Sequence, residues 1–287
     1  MKKSYKNIII LVLSSILISL IYFTYKNEDS NVEGELEINY IDVGQGNGVL
    51  IRQGDKSLII DGGNRSNSRY FYNYIDKKNT GKIDYIIASH YDEDHIAGLV
   101  GILKNKKVNR VLYPDYKKDT KIYKSFMNSL KNSNAKAINP KMGDEFNLNE
   151  AKVKILWPKE YKEGTDNDNS IVVKVNFGKN SFLFPADAGK SVEDELIYSG
   201  YSLKSDVLML GHHGSKYSSS NEFLKEVRPK LAIISVGENN RYKHPSNKLI
   251  KSLDGMGIKY LRTDQDGDIV LRSDGEKIKI STNKENK

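Results

Sequence analysis

The chain is punctuated by short apolar runs that break off at a histidine or an isolated aspartate. "LIIDGG" stops at Asp61, "IDYIIASHYDEDH" runs into His90, Asp92, Asp94 and His95, and "FLFPADAG" stops at Asp187. "DVLMLGHHGS" stops at His212 and His213, and "LAIISVGENNRYKHPS" carries His244 in the loop beyond. Apolar runs of this length, bounded by turn residues, read as buried strands, and the segments between them carry helical periodicity. The spacing predicts strands over 35–43, 47–53, 57–61, 83–88, 108–112, 152–157, 170–177, 180–185, 205–210, 230–236, 258–262, 268–272 and 277–281. Helices are predicted over 67–78, 96–104, 120–132, 190–198, 219–227 and 246–254, with Pro245 placed to start the last. Strands and helices in this alternation must bury their apolar faces on one another, so the chain reads as one α/β or α+β sandwich domain of sheets covered by helices.

All 5 histidines and three isolated acids fall at carboxyl ends of predicted strands, where loops over a sheet collect ligand sites. A single such histidine would read as a hydrogen-bonded loop residue. Five of them, in a chain with 0 cysteines, point to a metal held by imidazole and carboxylate. Thiolate zinc sites, disulfides and cysteine nucleophiles are excluded. A loop with histidine at i and i+5 and aspartate at i+2 and i+4 can turn several donors toward one point.

The net charge of +8 suits a polyanionic partner such as nucleic acid or an anionic membrane surface, and suits equally a chain with solvated lysine faces. Lys104, Lys106, Lys107, Arg110, Lys117, Lys118, Lys121 and Lys124 form the densest basic stretch, a backbone-contacting face at most because few aromatics are interleaved. Three lysines precede an apolar run at residues 8–23. That pattern reads as an uncleaved single-pass membrane anchor in preference to a cleaved signal, with the remainder extracytoplasmic. The organisation expected is an anchor or signal over 1–24, a linker over 25–34, one folded domain carrying the histidine and aspartate series over 35–282 and a tail over 283–287.

These motifs resemble the metallo-β-lactamase fold superfamily, whose HxHxDH loop is matched by His90, Asp92, Asp94 and His95, with Asp92 in place of the second histidine. "YIDVGQGNGVLI", "IIDGG", "SHYDEDHIAG", "NDNSIVV", "FLFPADA", "LGHHGSKYSSS" and "RPKLAIISVGENNRYKHPS" are similar, in order, to the extracellular hydrolase domain of ComEC-type competence proteins. The resemblance implies an αββα sandwich and a metal-dependent phosphodiesterase or nuclease acting on DNA. It departs in having Ala97 before Gly98, where the family has two glycines, and in lacking a histidine between His95 and His212. Asp166, Asp168 and Asn169 in "TDNDNS" are the oxygen donors available in that interval.

By that likeness, one or two divalent ions are implied, manganese or zinc, with magnesium as a further candidate. Asp187 would bridge them, His90 and Asp92 would hold the first, and Asp94, His95 and a later histidine the second. His212 and His244 are the later ligands favoured, with His213 as an orienting or leaving-group-protonating neighbour. Asp94, His213 and Asp187 are therefore the candidate catalytic residues, Asp61 orients the loop, and Ser215, Lys216 and Asn169 are candidates for binding substrate. Two other readings stand beside this one: hydrolysis of a small phosphoester or ester, and a non-catalytic, metal-stabilised module that binds DNA or protein.

Overall fold

The computed structural model describes residues 13–15, 34–78, 81–161 and 166–284, and the chain divides at Gly34. Apart from residues 13–15, the apolar run at 8–23 lies outside the described residues. No described helix is long and apolar enough to cross a membrane.

Beyond Gly34 the chain forms two sheets. The first contains β1 (Leu36–Tyr40), β2 (Gly48–Gln53), β3 (Lys56–Gly62), β4 (Ile83–Ile87), β5 (Val108–Leu112) and β6 (Lys136–Ile138). The second contains β7 (Glu145–Leu148), β8 (Ala151–Trp157), β9 (Val172–Phe177), β10 (Asn180–Phe184), β11 (Val207–Met209), β12 (Leu231–Ile234) and β13 (Lys259–Arg262). The chain then returns to the first sheet with β14 (Asp268–Ser273) and β15 (Ile278–Asn283), giving an 8-stranded order β15-β14-β1-β2-β3-β4-β5-β6 against a 7-stranded order β13-β12-β11-β10-β9-β8-β7. In each sheet one half is parallel, from β3 to β6 and from β10 to β13. The parallel strands need crossovers, which the helices supply.

Residue alternation sets the layers. Leu36, Ile38 and Tyr40 of β1, Leu58 and Ile60 of β3 and Leu231 and Ile233 of β12 enter the core between the sheets. Ile59 faces outward onto α1 (Ser68–Lys78), α2 (Glu93–Asn105) and α3 (Lys121–Asn132). Ala232 and Ile234 face outward onto α4 (Lys190–Ile197), α5 (Asn221–Val227) and α6 (Asn247–Gly255). The period of two on strands buried on both faces thus produces four layers, helix-sheet-sheet-helix.

Several boundaries differ from the sequence reading. β6 and β7 were not expected: "KAI" and "EFNL" are short and largely exposed, so hydrophobic alternation does not mark them. The helix expected from 96 begins at Glu93, because Glu93, Asp94 and His95 make its first turn. Pro245 precedes the helix it was expected to start; Ser246 is the cap, its side chain accepting from Leu249 N at 3.3 Å. A methyl added at Gly98 would lie 2.0 Å from Gly62 O, so α2 crosses the end of β3 at backbone contact. The half-turn before it tolerates the methyl of Ala97, which is buried.

Candidate metal centre

The acids and imidazoles gather where the carboxyl ends of both parallel half-sheets meet. Asp61 is near the end of β3, His90 follows β4, Asp94 and His95 lie in the first turn of α2, and Asp187 follows β10. His212 and His213 form a 3-10 turn, Gly211–Gly214, after β11. Asp61, Ala186, His212 and His213 all have positive φ, 58°, 52°, 49° and 55°. Such conformations cost about 1–3 kcal/mol each for residues bearing a Cβ and persist where surrounding bonds fix them. Here His212 N donates to Ala186 O at 2.9 Å, Gly211 N to Ser219 Oγ at 3.0 Å and Ser218 Oγ to Gly211 O at 2.7 Å. The β1–β2 loop joins the two halves: Ser235 Oγ donates to Gly46 O at 2.7 Å, and Asn47 N donates to Asp94 O at 3.1 Å.

Asp187 is 3% exposed and turns one oxygen to each side. Oδ1 is 3.2 Å from His95 Nε2 and 3.6 Å from His213 Nε2; Oδ2 is 3.5 Å from His212 Nε2 and 3.9 Å from His90 Nε2. Asp94 Oδ2 is 3.4 Å from His213 Nε2, and Asp92 Oδ2 is 3.6 Å from His90 Nε2. Two donor groups result, His90 with His95 and Asp187, and Asp94 with His95 and His213, each with its ligand atoms within 4.8 Å of one another. His90 Nε2, His95 Nε2, His213 Nε2 and Asp187 Oδ1 are buried and make no hydrogen bond. Unsatisfied buried polar atoms cost about 1–3 kcal/mol each, and these converge, so the residues fit a divalent cation.

The outer ring nitrogens explain why the inner ones are available. His95 Nδ1–H donates to Asp61 Oδ2 at 2.8 Å, and Asp61, wholly buried, also accepts from Ser89 N and Ser89 Oγ at 2.8 Å each. His213 Nδ1–H donates to the Ser235 carbonyl at 3.1 Å. Both arrangements point an Nε2 lone pair into the centre, the tautomer a metal requires.

The charges are strongly coupled. Burial raises the Asp187 carboxyl, but the facing imidazoles of His95, His213 and His90 outweigh it and hold the group well below its ordinary value. Burial opposes a charged His95, yet Asp187 and Asp61 hold that imidazole well above its usual range, and His213 is raised by Asp187 and Asp94 in the same way. His212 is lowered by burial, and His244 is lowered to about 4 by burial and by the neighbouring His213 and His212.

The late histidines fall in a different order from the one expected. His213, not His212 or His244, joins the group with Asp94 and His95. His212 has Nε2 3.5 Å from Asp187 Oδ2 and Nδ1 3.4 Å from Asn167 Nδ2, and its ring packs edge-on against His213 and His244. His244 belongs to neither donor group; its ring stacks on Tyr242, centroids 5.6 Å apart, with Nδ1 buried and unbonded. Asp166, Asp168 and Asn169 lie on or beside the 3-10 turn Asn167–Asn169, which is pinned by Trp157 Nε1 donating to Asp168 O at 2.6 Å. Asp168 Oδ2 accepts from Ser191 Oγ at 3.0 Å, and Asn169 is buried. Ser215 is buried, whereas Lys216 is exposed, its ammonium over the Tyr217 ring, beside a cleft of about 320 Å³ that Lys190 and Lys248 share.

The basic stretch does not form one free face. Lys106 pairs with Asp76, Lys124 with Asp119, and Lys118 with Asp92 and Asp166. Lys118, Ser89, Asn167 and the Ser235 carbonyl are site neighbours that the sequence reading missed. Lys118 is 26 residues from Asp92 and carries no motif of its own.

A model of the metallo-beta-lactamase superfamily matches residues 41–238. The chain belongs to the metallo-β-lactamase superfamily. It is 31% identical over 263 residues to ComE operon protein 3 of Bacillus subtilis (strain 168), covering 84% of this chain and 33% of that protein. It is 30% identical over 240 residues to competence protein ComA of Neisseria gonorrhoeae, covering 82% and 32%. The chain thus spans about a third of the length of these ComEC-type relatives. In fold it is similar to the metallo-beta-lactamase fold protein YhfI of Bacillus subtilis, with a TM-score of 0.57, 16% identity and coverage of 84% of this chain and 100% of that one. The metallo-β-lactamase fold, with His and Asp groups that could bind a divalent metal, implies a metal-dependent hydrolase.

Proposed function

We propose that the chain is a metal-dependent phosphodiesterase that cleaves DNA, held at the outer face of a membrane by residues 8–23. The observation that carries the catalytic part is Asp187, with one oxygen facing His95 and His213 and the other facing His90 and His212. Divalent ions held by Asp94, His95, His213 and Asp187, and by His90, Asp92 and Asp187, would supply charge to polarise a phosphoryl oxygen and to ionise a water near neutral pH. Asp61 and the Ser235 carbonyl keep the protons of His95 and His213 on the outer nitrogens. His244, neutral at pH 7 with an unbonded buried Nδ1, packs its ring on His212 with centroids 5.7 Å apart. The competence-protein relatives and the net charge of +8 support DNA as substrate.

The test is full-length protein in detergent with manganese or zinc, given single- and double-stranded DNA. Cleavage abolished by Asp187→Asn and weakening steeply with ionic strength is expected, since phosphate contacts release counterions. No cleavage with either metal would overturn the reading.

A second reading, a small phosphoester as substrate, is favoured by the pairing of Lys106, Lys118 and Lys124 with neighbouring acids and by a cleft of about 490 Å³ beside Asp94 that contains Arg241 and Tyr242. Turnover of a small diester insensitive to salt, without DNA cleavage, would select it.

A further inference from the structure

The two halves of the centre are not electrostatically equal. In the half formed by Asp94, His95 and His213, the one ion-pair partner of the Asp94 carboxylate among the described residues is an imidazole. In the other half the Asp92 carboxylate is shared. Its Oδ2 faces His90 Nε2 at 3.6 Å, while its Oδ1 accepts from Lys118 Nζ at 2.6 Å. The same ammonium is 2.6 Å from Asp166 Oδ2. Lys118 comes from the loop between β5 and α3, and its side chain is only 17% exposed. It therefore crosses from one loop to tie Asp92, at the N-cap of α2, to Asp166, beside the 3-10 turn. Asp92 leaves its own helix uncapped by its side chain, so its carboxylate is spent on His90 and Lys118.

We infer that Lys118 is a resident cation that weakens divalent-metal binding at the His90–Asp92 position and makes the two metal positions unequal in affinity. A cation held by Asp92 Oδ2 would share one carboxylate with the ammonium, which is on Oδ1. Two positive charges on one carboxylate repel, and partial burial reduces screening between them. The Asp166 carboxylate, 2.6 Å from the same ammonium, holds the lysine in place and offsets only part of its charge. At the Asp94–His95–His213 position no ammonium or guanidinium among the described residues is within ion-pair distance of the carboxylate, Arg241 acting on Asp94 only from longer range; this position fills first and holds its ion more tightly. Occupancy of the second position, and with it activity that needs both ions, then depends on the free concentration of a hard divalent cation.

This inference rests on the reading that the centre binds divalent cations. Full-length protein stripped with chelator is titrated with Mn²⁺ by calorimetry, with free Mn²⁺ counted in parallel by electron paramagnetic resonance. The wild type gives one tight and one weak equivalent. Lys118→Met and Lys118→Gln tighten the weak equivalent at least tenfold and leave the tight one within about threefold, the asymmetry expected when a single local charge is removed. Asp166→Asn, which keeps the ammonium, does not tighten it. A wild type that binds no Mn²⁺ overturns the metal reading and this inference together. Two equal equivalents in the wild type, or Lys118 variants that bind the weak equivalent no better than wild type while unfolding at the wild-type temperature, overturn this inference alone.

Discussion

Replacing Asp61 by asparagine tests whether a residue that need not touch metal controls the centre. The exchange is isosteric, and asparagine tolerates the left-handed φ of 58° found at this position. Oδ1 can still accept from Ser89 N, and Ser89 Oγ can reverse its role. His95 has no such freedom. The amide group placed 2.8 Å from Nδ1 either loses the bond or forces the proton onto Nε2, which points at Asp187 and Asp94. A charge-assisted hydrogen bond of this kind is worth about 1.5–3 kcal/mol, which corresponds to about a 10- to 100-fold loss of affinity. Calorimetric titration of the chelated protein with Mn²⁺ measures it, with thermal unfolding of the metal-free protein as the control for folding. An Asp61→Asn protein that binds Mn²⁺ within twofold of wild type would refute the view that Asp61 sets the His95 tautomer. Asp61→Ala should be worse on both measures, since it adds backbone strain of about 1–3 kcal/mol and strands the Ser89 amide.

Other substitutions and conditions probe the remaining assignments. His213→Ala should lower Mn²⁺ affinity at the tighter position about 100-fold or more, whereas His212→Ala, at a side chain 30% exposed and outside both donor groups, should lower it less than about tenfold; equal losses would show that the two rings are interchangeable. In the metal-free protein His95 and His213 are raised above the ordinary imidazole value, so loading at pH 7 must displace protons, and titration in buffers of different ionisation enthalpy should show about one proton or more released per ion. Heats that do not vary with buffer would count against it. By the same linkage, the contribution of these imidazoles to metal-free stability is complete below about pH 6.5 and is lost as pH rises through their raised values; chelated protein should therefore lose stability from neutral to alkaline pH while the loaded form does not, as thermal scans across that range would reveal. Gly98→Ala should cost about 1–3 kcal/mol by forcing α2 off the Gly62 carbonyl, lowering the melting temperature by roughly 2–12 °C; an unchanged melting temperature would mean that the helix can shift freely.

Most of the architecture is written in local pattern. The alternation of Leu36, Ile38 and Tyr40, the uninterrupted "IDYII" before the histidine loop, and the serines that cap α5 and α6 mark their elements without reference to anything distant. So does the gathering of histidine and aspartate at strand ends, because strand direction alone puts successive loops of a parallel half-sheet on one edge. The polar edge strands β6 and β7 escape this logic, since their pairing comes from a neighbour's open edge and not from burial of their own side chains.

The choice among the late histidines and the role of Lys118 belong to tertiary structure. His212 and His213 are adjacent and chemically identical, and only the left-handed turn after β11, held by Ala186, Ser218 and Ser219, sends His213 inward to Asp94 and His212 toward Asn167. Lys118 reads as one more lysine in a basic stretch until folding lays its loop between Asp92 and Asp166. Periodicity and side-chain chemistry act over a few residues and so can be read along the chain, whereas the partner of a charge is fixed by which loops meet in space.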